Sequence, residues 1–335
     1  MSRLRDDQQP GSMGMAEWFG RTARPVILAA SRSGRLRHTA ERMPLTRQVV
    51  RRFVPGESQN DVIAAGTALL DSGRFISIDY LGEDTTDIEQ ATRTVSAYLS
   101  LLDALAWRSD TVHTGVRPLE ISLKLSALGQ ALPRDGERIA LENAQLLCAK
   151  ADQAGVWVTV DAEDHTTTES TLSIVRELRA DFPWLGTVLQ AYLKRTYADC
   201  ADLAGEGSRI RLCKGAYDEP ESVAHRDPED VDVAYLRCLR VLMEGEGYPM
   251  VASHDPAIVD AAGLMARETG RGPGDFEYQM LYGIRDAEQR RLAGEGHHMR
   301  VYVPFGEQWY GYFVRRIAER PANMTFFLRA LLSRG

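Results

Sequence analysis

The stretch "ERIALENAQLLCAKADQAGVWVTVDAED", residues 137–164, holds one full period of the pattern that decides the fold. Its first part has helical spacing and ends in Gly155, a residue suited to a helix C-cap. The run "VWVTV" follows at once, too rich in branched side chains for anything but a strand, and it leads into two acids, Asp161 and Glu163. Helix, strand, then polar residues at the strand end is the unit to look for elsewhere.

It recurs along the chain. Strand-type runs begin at "RFISIDYLG" (74), "LEISLKLSA" (119), "VWVTVDAED" (156), "TVLQAYL" (187), "RIRLCKGAY" (209), "PMVASHD" (249), "FEYQMLYG" (276) and "MRVYVPFG" (299). Helical segments separate them. Eight such units at intervals of about 20 to 45 residues predict an α/β fold of the (β/α)₈ TIM-barrel type. No GxGxxG follows any run, so a dinucleotide is not expected on a Rossmann turn. The expected organisation is a polar tail over 1–12, a helical segment over 13–73 with a Pro-Gly turn in "RRFVPGES", and the barrel over 74–335.

Charge narrows the function. With 40 basic and 47 acidic residues the net charge is −7, against a protein whose business is binding nucleic acid by bulk charge. Cys148, Cys200, Cys213 and Cys238 form no CxxC pair, so neither a disulfide framework nor a thiolate zinc site is indicated, and a reducing, cytoplasmic compartment is expected. The apolar run "VILAA" at 26–30 is far too short for a signal-peptide core. Nine arginines against one acid between Arg21 and Arg52 read either as solvated helices or as a segment touching a membrane surface.

Active sites of such barrels lie at the carboxyl ends of the strands, and polar residues gather there. They are Glu83, Lys124, Asp161 with Glu163, Gln190, Arg211 with Lys214 and Tyr217, His254 with Asp255, and Tyr302. Lysine is scarce, with four against 36 arginines, yet three of the four fall in or just past strand runs. Arg211 sits inside an apolar run and needs a partner: a structural carboxylate, a phosphate or an electron-rich ring. Lys214 and His254 beside it favour an anionic cofactor.

Near the end of the chain, Tyr312, Arg315, Arg316 and Glu319 recur at i, i+3, i+4 and i+7 and share one face of a helix. Arg315 with Glu319 reads as a surface ion pair, or else the adjacent guanidiniums of Arg315 and Arg316 receive a carboxylate that relieves their repulsion. Asp161, Glu163 and His165, with His254 and Asp255, offer a weaker alternative as ligands of a divalent ion, although no HExxH spacing is present.

Taken together and in order, "RRFVPGE", "YLGED", "LKLSALG", "VTVDAED", "VLQAYLKRT", "RLCKGAY", "ASHD", "FEYQMLYG" and "VYVPFGEQWYGYFVRRIAERPAN" closely resemble the proline dehydrogenase family in its monofunctional bacterial form, over about residues 51–332. The resemblance implies a distorted barrel that binds FAD, with a last helix over the strand ends. It implies oxidation of L-proline to Δ¹-pyrroline-5-carboxylate, with hydride passing from C5 to flavin N5. It also implies electrons going on to a quinone, peripheral contact with the inner face of the plasma membrane, and a separate pyrroline-5-carboxylate dehydrogenase downstream.

By position, the resemblance makes Lys124, Arg315 and Arg316 the clamp on the substrate carboxylate, with Leu281 and Tyr302 against its ring. Asp161 and Tyr217 shape the amine side and hold the arginines, Glu83 pairs with the first arginine, and Glu319 braces the pair. Gln190, Arg211, Cys213, Lys214, Ser253 and His254 match flavin contacts. Asp218 stands where the long bifunctional relatives carry an aromatic residue, and "EQWYGY" is shorter than their segment. The competing readings are a flavin barrel acting on hydroxyproline or another cyclic imino acid, and a metal-dependent barrel hydrolase.

Overall fold

The computed structural model describes residues 50–83, 85–106 and 115–319. Eight strands occur where the eight runs lie: β1 (Phe75–Tyr80), β2 (Leu119–Leu123), β3 (Trp157–Val160), β4 (Gly186–Gln190), β5 (Arg209–Cys213), β6 (Tyr248–Ala252), β7 (Glu277–Leu281) and β8 (His298–Phe305). They pair in sequence order, all parallel, and β8 returns to β1 to close the barrel.

Parallel neighbours need a crossover, and a helix after each of the first seven strands supplies it, with one more helix after β8. These are α2 (Ile88–Ala106), α3 (Gly136–Gln153), α4 (Thr168–Asp181), α5 (Thr196–Leu203), α6 (Pro228–Glu244), α7 (Pro256–Glu268), α8 (Asp286–Gly294) and α9 (Trp309–Glu319). Their starts are written locally. Asp227 and Asp255 cap α6 and α7 through the backbone N–H two residues on, each with proline at the first helical position, where a missing N–H costs nothing.

Period-two alternation sends Leu119, Ile121 and Leu123 of β2, and Ile210 and Leu212 of β5, outward into one apolar layer shared with the helices. Leu101, Leu102, Leu147, Val175, Leu239 and Met265 meet them from α2, α3, α4, α6 and α7. The hydrophobic core is therefore this ring between sheet and helices. The barrel's interior is left for other residues.

Before β1, helix α1 (Gln59–Leu70) starts at Ser58 with a reciprocal capping box to Asp61 and packs across β1 and β8. The segment ahead of it lies against the loops that follow β7 and β8. Gly283 adopts φ +73°, and a Cβ there would stand 1.7 Å from the carbonyl oxygen of Arg52. Trp309 Nε1 donates to Glu57 at 3.0 Å.

The chain divides into two compact units, Val50–Trp309 and, separately, Met1–Val49 with Tyr310–Gly335. Helix α9 belongs to the second apart from its first residue. The tail expected over 1–12 and most of the helical segment expected over 13–73 lie outside the described residues.

Candidate active site at the carboxyl ends of the strands

The barrel interior is filled by ions where branched side chains are usual. Arg209 and Arg211 of β5 reach Glu120 on β2, two strands that neighbour each other only through the interior. Arg211 meets Glu120 at 2.7 Å, Asp161 at 2.7 Å, Ser122 at 2.9 Å and Ser77 at 3.1 Å. Arg300 of β8 is fully buried against Glu277 at 2.7 Å. Lys124 completes the set with Asp79 at 2.7 Å. Four cations, Lys124, Arg209, Arg211 and Arg300, thus face four carboxylates, Asp79, Glu120, Asp161 and Glu277, and the interior is formally neutral. Burial alone would raise the Glu120 carboxyl, but Arg300, Arg209 and Arg211 outweigh that and hold it well below the usual range.

Toward the mouth, Lys124 follows β2 directly and its ammonium lies among Asp79, Asp161 at 3.5 Å and the Tyr302 hydroxyl at 3.4 Å. Burial would lower its pKa, yet Asp79 and Asp161 raise it well above the ordinary value, so Lys124 stays charged. Tyr302 donates to Asp161 at 2.7 Å, and burial together with Asp161 and Asp79 keeps its phenol protonated. Leu281 is the register partner of Tyr302 on β7. The structure therefore gathers Lys124, Asp161, Leu281 and Tyr302 into one polar-and-apolar corner.

The residues assigned to a flavin follow one sector, the ends of β4, β5 and β6. Gln190 Nε2 donates to the Glu163 carbonyl at 2.7 Å, and His254 Nε2 accepts from the Leu281 N–H at 2.9 Å. Ser253 is buried and Cys213 half-buried on the same rim. Lys214 is one-third exposed, between Asp255 at 2.9 Å and Asp232. Two carboxylates, Glu120 and Asp161, balance the charge of Arg211, the first of the three kinds of partner that its burial called for. The Arg211 Nε–H, however, is buried with no acceptor, and the partly exposed ammonium of Lys214, paired with the N-cap Asp255, stands beside the N-terminus of α7. A donor set of this kind fits a flavin with its phosphate-bearing tail.

Asp161 holds Arg211, Ser122 and Tyr302, and so braces the interior arginine. Glu163 turns to Ser126, whose backbone N–H donates at 3.1 Å, while His165 pairs with Glu219. Asp161, Glu163, His165 and Asp255 thus point to four different partners, and among the described residues no three His, Cys, Asp or Glu side chains are grouped to hold a metal. Glu83 lies half-buried in the loop after β1, close enough to Glu163 for mutual repulsion. Tyr217 is half-buried in the loop after β5. Arg315 and Arg316 occur on α9, where the Arg316 guanidinium lies 5.0 Å from the Tyr312 ring centre, as i,i+4 spacing requires. The Glu319 side chain lies outside the described residues.

Sequence reading missed Asp79, Glu120, Ser77 and Ser122. Their signal was present: in "SID", "EISLK" and "RIR" every second residue is polar, an alternation that places the polar residues of each strand on one face.

A closed parallel barrel of eight strands with an ionic interior is a (β/α)₈ scaffold, whose active sites lie at the carboxyl ends of the strands. A family model described as "Proline dehydrogenase" matches residues 62–329, and the chain belongs to the proline dehydrogenase family. It is 40% identical over 284 residues to the proline dehydrogenase of Deinococcus radiodurans, covering 84% of this chain and 89% of that one. To proline dehydrogenase 1 of Bacillus subtilis strain 168 it is 37% identical over 289 residues, with 86% and 92% covered. The crystal structure of proline utilization A from Bdellovibrio bacteriovorus superposes with a TM-score of 0.75 at 23% identity, over 87% of this chain; the chain spans 34% of that longer protein, a likeness of fold.

Proposed function

We infer that the protein oxidises L-proline to Δ¹-pyrroline-5-carboxylate, the first step of proline breakdown. The observation that carries this reading is the corner where Lys124 keeps its charge between Asp79 and Asp161 with Tyr302 and Leu281 beside it, in a chain of this family. Lys124, Arg315 and Arg316 receive the carboxylate, since guanidinium and ammonium donors match its oxygens. Leu281 and the Tyr302 ring pack on the apolar methylenes, and Tyr217 borders the amine side.

Holding one end of a small rigid ring presents the opposite carbon to its acceptor, which is catalysis mainly by orientation. Cations around the bound substrate disfavour its ammonium form and so lower the pKa of the amine that must lose a proton. We assign Gln190, Arg211, Cys213, Lys214, Ser253 and His254 to FAD; the chemistry that flavin supplies when bound is acceptance of the hydride leaving C5. A quinone is the acceptor we assign to the reduced enzyme. Among the described residues no helix is long and apolar enough to cross a membrane.

Anaerobic titration of the purified protein with L-proline tests the reading: flavin absorbance near 450 nm should bleach in proportion to proline added (~1 equivalent). A protein that neither carries nor accepts FAD would overturn it.

A further inference from the structure

Tyr192, just past β4, is the hub of the loop that follows β5. Its backbone N–H donates to the Lys214 carbonyl at 2.9 Å and its carbonyl accepts from His225 at 2.8 Å. Gly215 adopts φ +119° over its ring, where a Cβ would come within 2.2 Å of a ring carbon. The hydroxyl is engaged on two sides: it hydrogen-bonds the backbone of Tyr217 and donates to Glu219 Oε1 at 3.4 Å. Burial pushes the phenol well above its usual pKa, so the proton needed for that donation is held.

Glu219 is itself buried and is gripped from the loop after β3. The His165 N–H donates to Oε1 at 2.9 Å, and His165 Nδ1 bonds Oε2. That loop starts at Asp161, four residues before His165. A single carboxylate therefore ties the Tyr217 loop to the Asp161 loop across the end of β4. The residues tied are not in the barrel's closed hydrogen-bond ladder, and nothing in the apolar layer needs a buried acid at this point. What the tie does fix is the backbone of Tyr217.

We propose that Tyr192, Glu219 and His165 are positioning residues that set the Tyr217 edge of the substrate cavity, giving affinity for the ring without taking part in electron transfer. This rests on the reading of Tyr217 as a substrate neighbour. Tyr192→Phe keeps the ring beneath Gly215 and removes only the hydroxyl. Glu219→Ala removes the tie, whereas Glu219→Gln keeps acceptors for His165 and Tyr192 and serves as the conservative rescue.

The experiment measures kcat and KM for L-proline, the melting temperature, and by calorimetry the Kd of tetrahydrofuran-2-carboxylate, the oxygen isostere of proline that lacks the amine. Tyr192→Phe and Glu219→Ala should raise KM and Kd together by roughly three- to tenfold, the range of one lost hydrogen bond, with kcat within about twofold. Glu219→Gln should return both values to within about twofold of the parent enzyme. Variants that melt earlier but keep KM and Kd unchanged would overturn the proposal, since a merely structural tie lowers stability alone. Should Glu219→Ala fail to fold, Tyr192→Phe and Glu219→Gln decide it. Tyr217→Ala separates the two levels: if it leaves KM and Kd unchanged the reading of Tyr217 fails, and if it raises them while Tyr192→Phe does not, only the tie fails.

Discussion

Arg211 and Glu120 stand on strands three apart in the barrel order, yet guanidinium and carboxylate meet at 2.7 Å through the interior. Glu120 also receives Arg209, so one fully buried acid balances two cations. Removing it leaves guanidinium charge in a place water does not reach. Glu120→Ala should therefore lose about 3 to 5 kcal/mol of stability in a denaturant titration, the range for breaking a buried ion pair from one side. A loss below about 1 kcal/mol would mean the interior is hydrated and the pairing weak.

Substrate affinity should follow the three assigned cations. Lys124→Met, Arg315→Met and Arg316→Met each remove charge-assisted donors, worth about 1.5 to 3 kcal/mol, so each should raise KM for proline by about 10- to 150-fold. Arg211→Ala should alter the flavin spectrum and leave carboxylate affinity less affected. Steady-state kinetics at saturating acceptor decide it: an unchanged KM in all three would remove the clamp.

The eight strands were legible because their runs are short, branched and separated by segments of helical spacing, and each lies where it was expected. Lys124, Asp161 and Tyr302 were legible as polar residues near strand ends and Leu281 only through the family resemblance, and β-strand register brings them to one corner. Asp79 and Glu120 were not found, although they do as much to set the charge of the site. In "FISIDY" and "LEISL" the branched residues mark the strand, while Asp79 and Glu120 fall on the alternate positions that face the barrel interior and its cations. Arg211 was flagged by its cost, but a single sequence cannot say which carboxylate two β/α units away, or more, offsets it.

Tyr302 bears on selectivity between proline and hydroxyproline. Its hydroxyl is held by Asp161 at 2.7 Å and lies 3.4 Å from Lys124, so the ring cannot swing aside for a larger substrate. Tyr302→Ser should reduce the preference for L-proline over 4-hydroxyproline in kcat/KM by about tenfold, the discrimination that one small group in a fixed pocket provides. The same change should raise KM for proline by removing ring contact. Tyr302→Phe, which keeps the ring and loses the tether, should fall between the two. A preference unchanged in Tyr302→Ser would take the phenol out of the substrate pocket.

Glu163 gives stability a pH dependence in the neutral range. Burial pushes its carboxyl from 4.5 up to about 7, against the opposing hydrogen bonds from the Ser126 hydroxyl and N–H and the attraction of Lys124, with Glu83 adding repulsion. The folded protein therefore binds this proton more tightly than the unfolded chain does. The favourable contribution is complete below about pH 4.5 and is lost as pH rises through about 7, a difference of about 3 kcal/mol at most. Glu163→Gln carries no titrating group but keeps an acceptor for the Ser126 N–H. Relative to the parent enzyme it should gain stability as pH is raised from 5 to 8, by about 2 to 3 kcal/mol across that span in paired urea titrations. A gap between the two proteins that stays constant from pH 5 to 8 would show that Glu163 is ionised throughout, with Lys124 and Ser126 outweighing its burial.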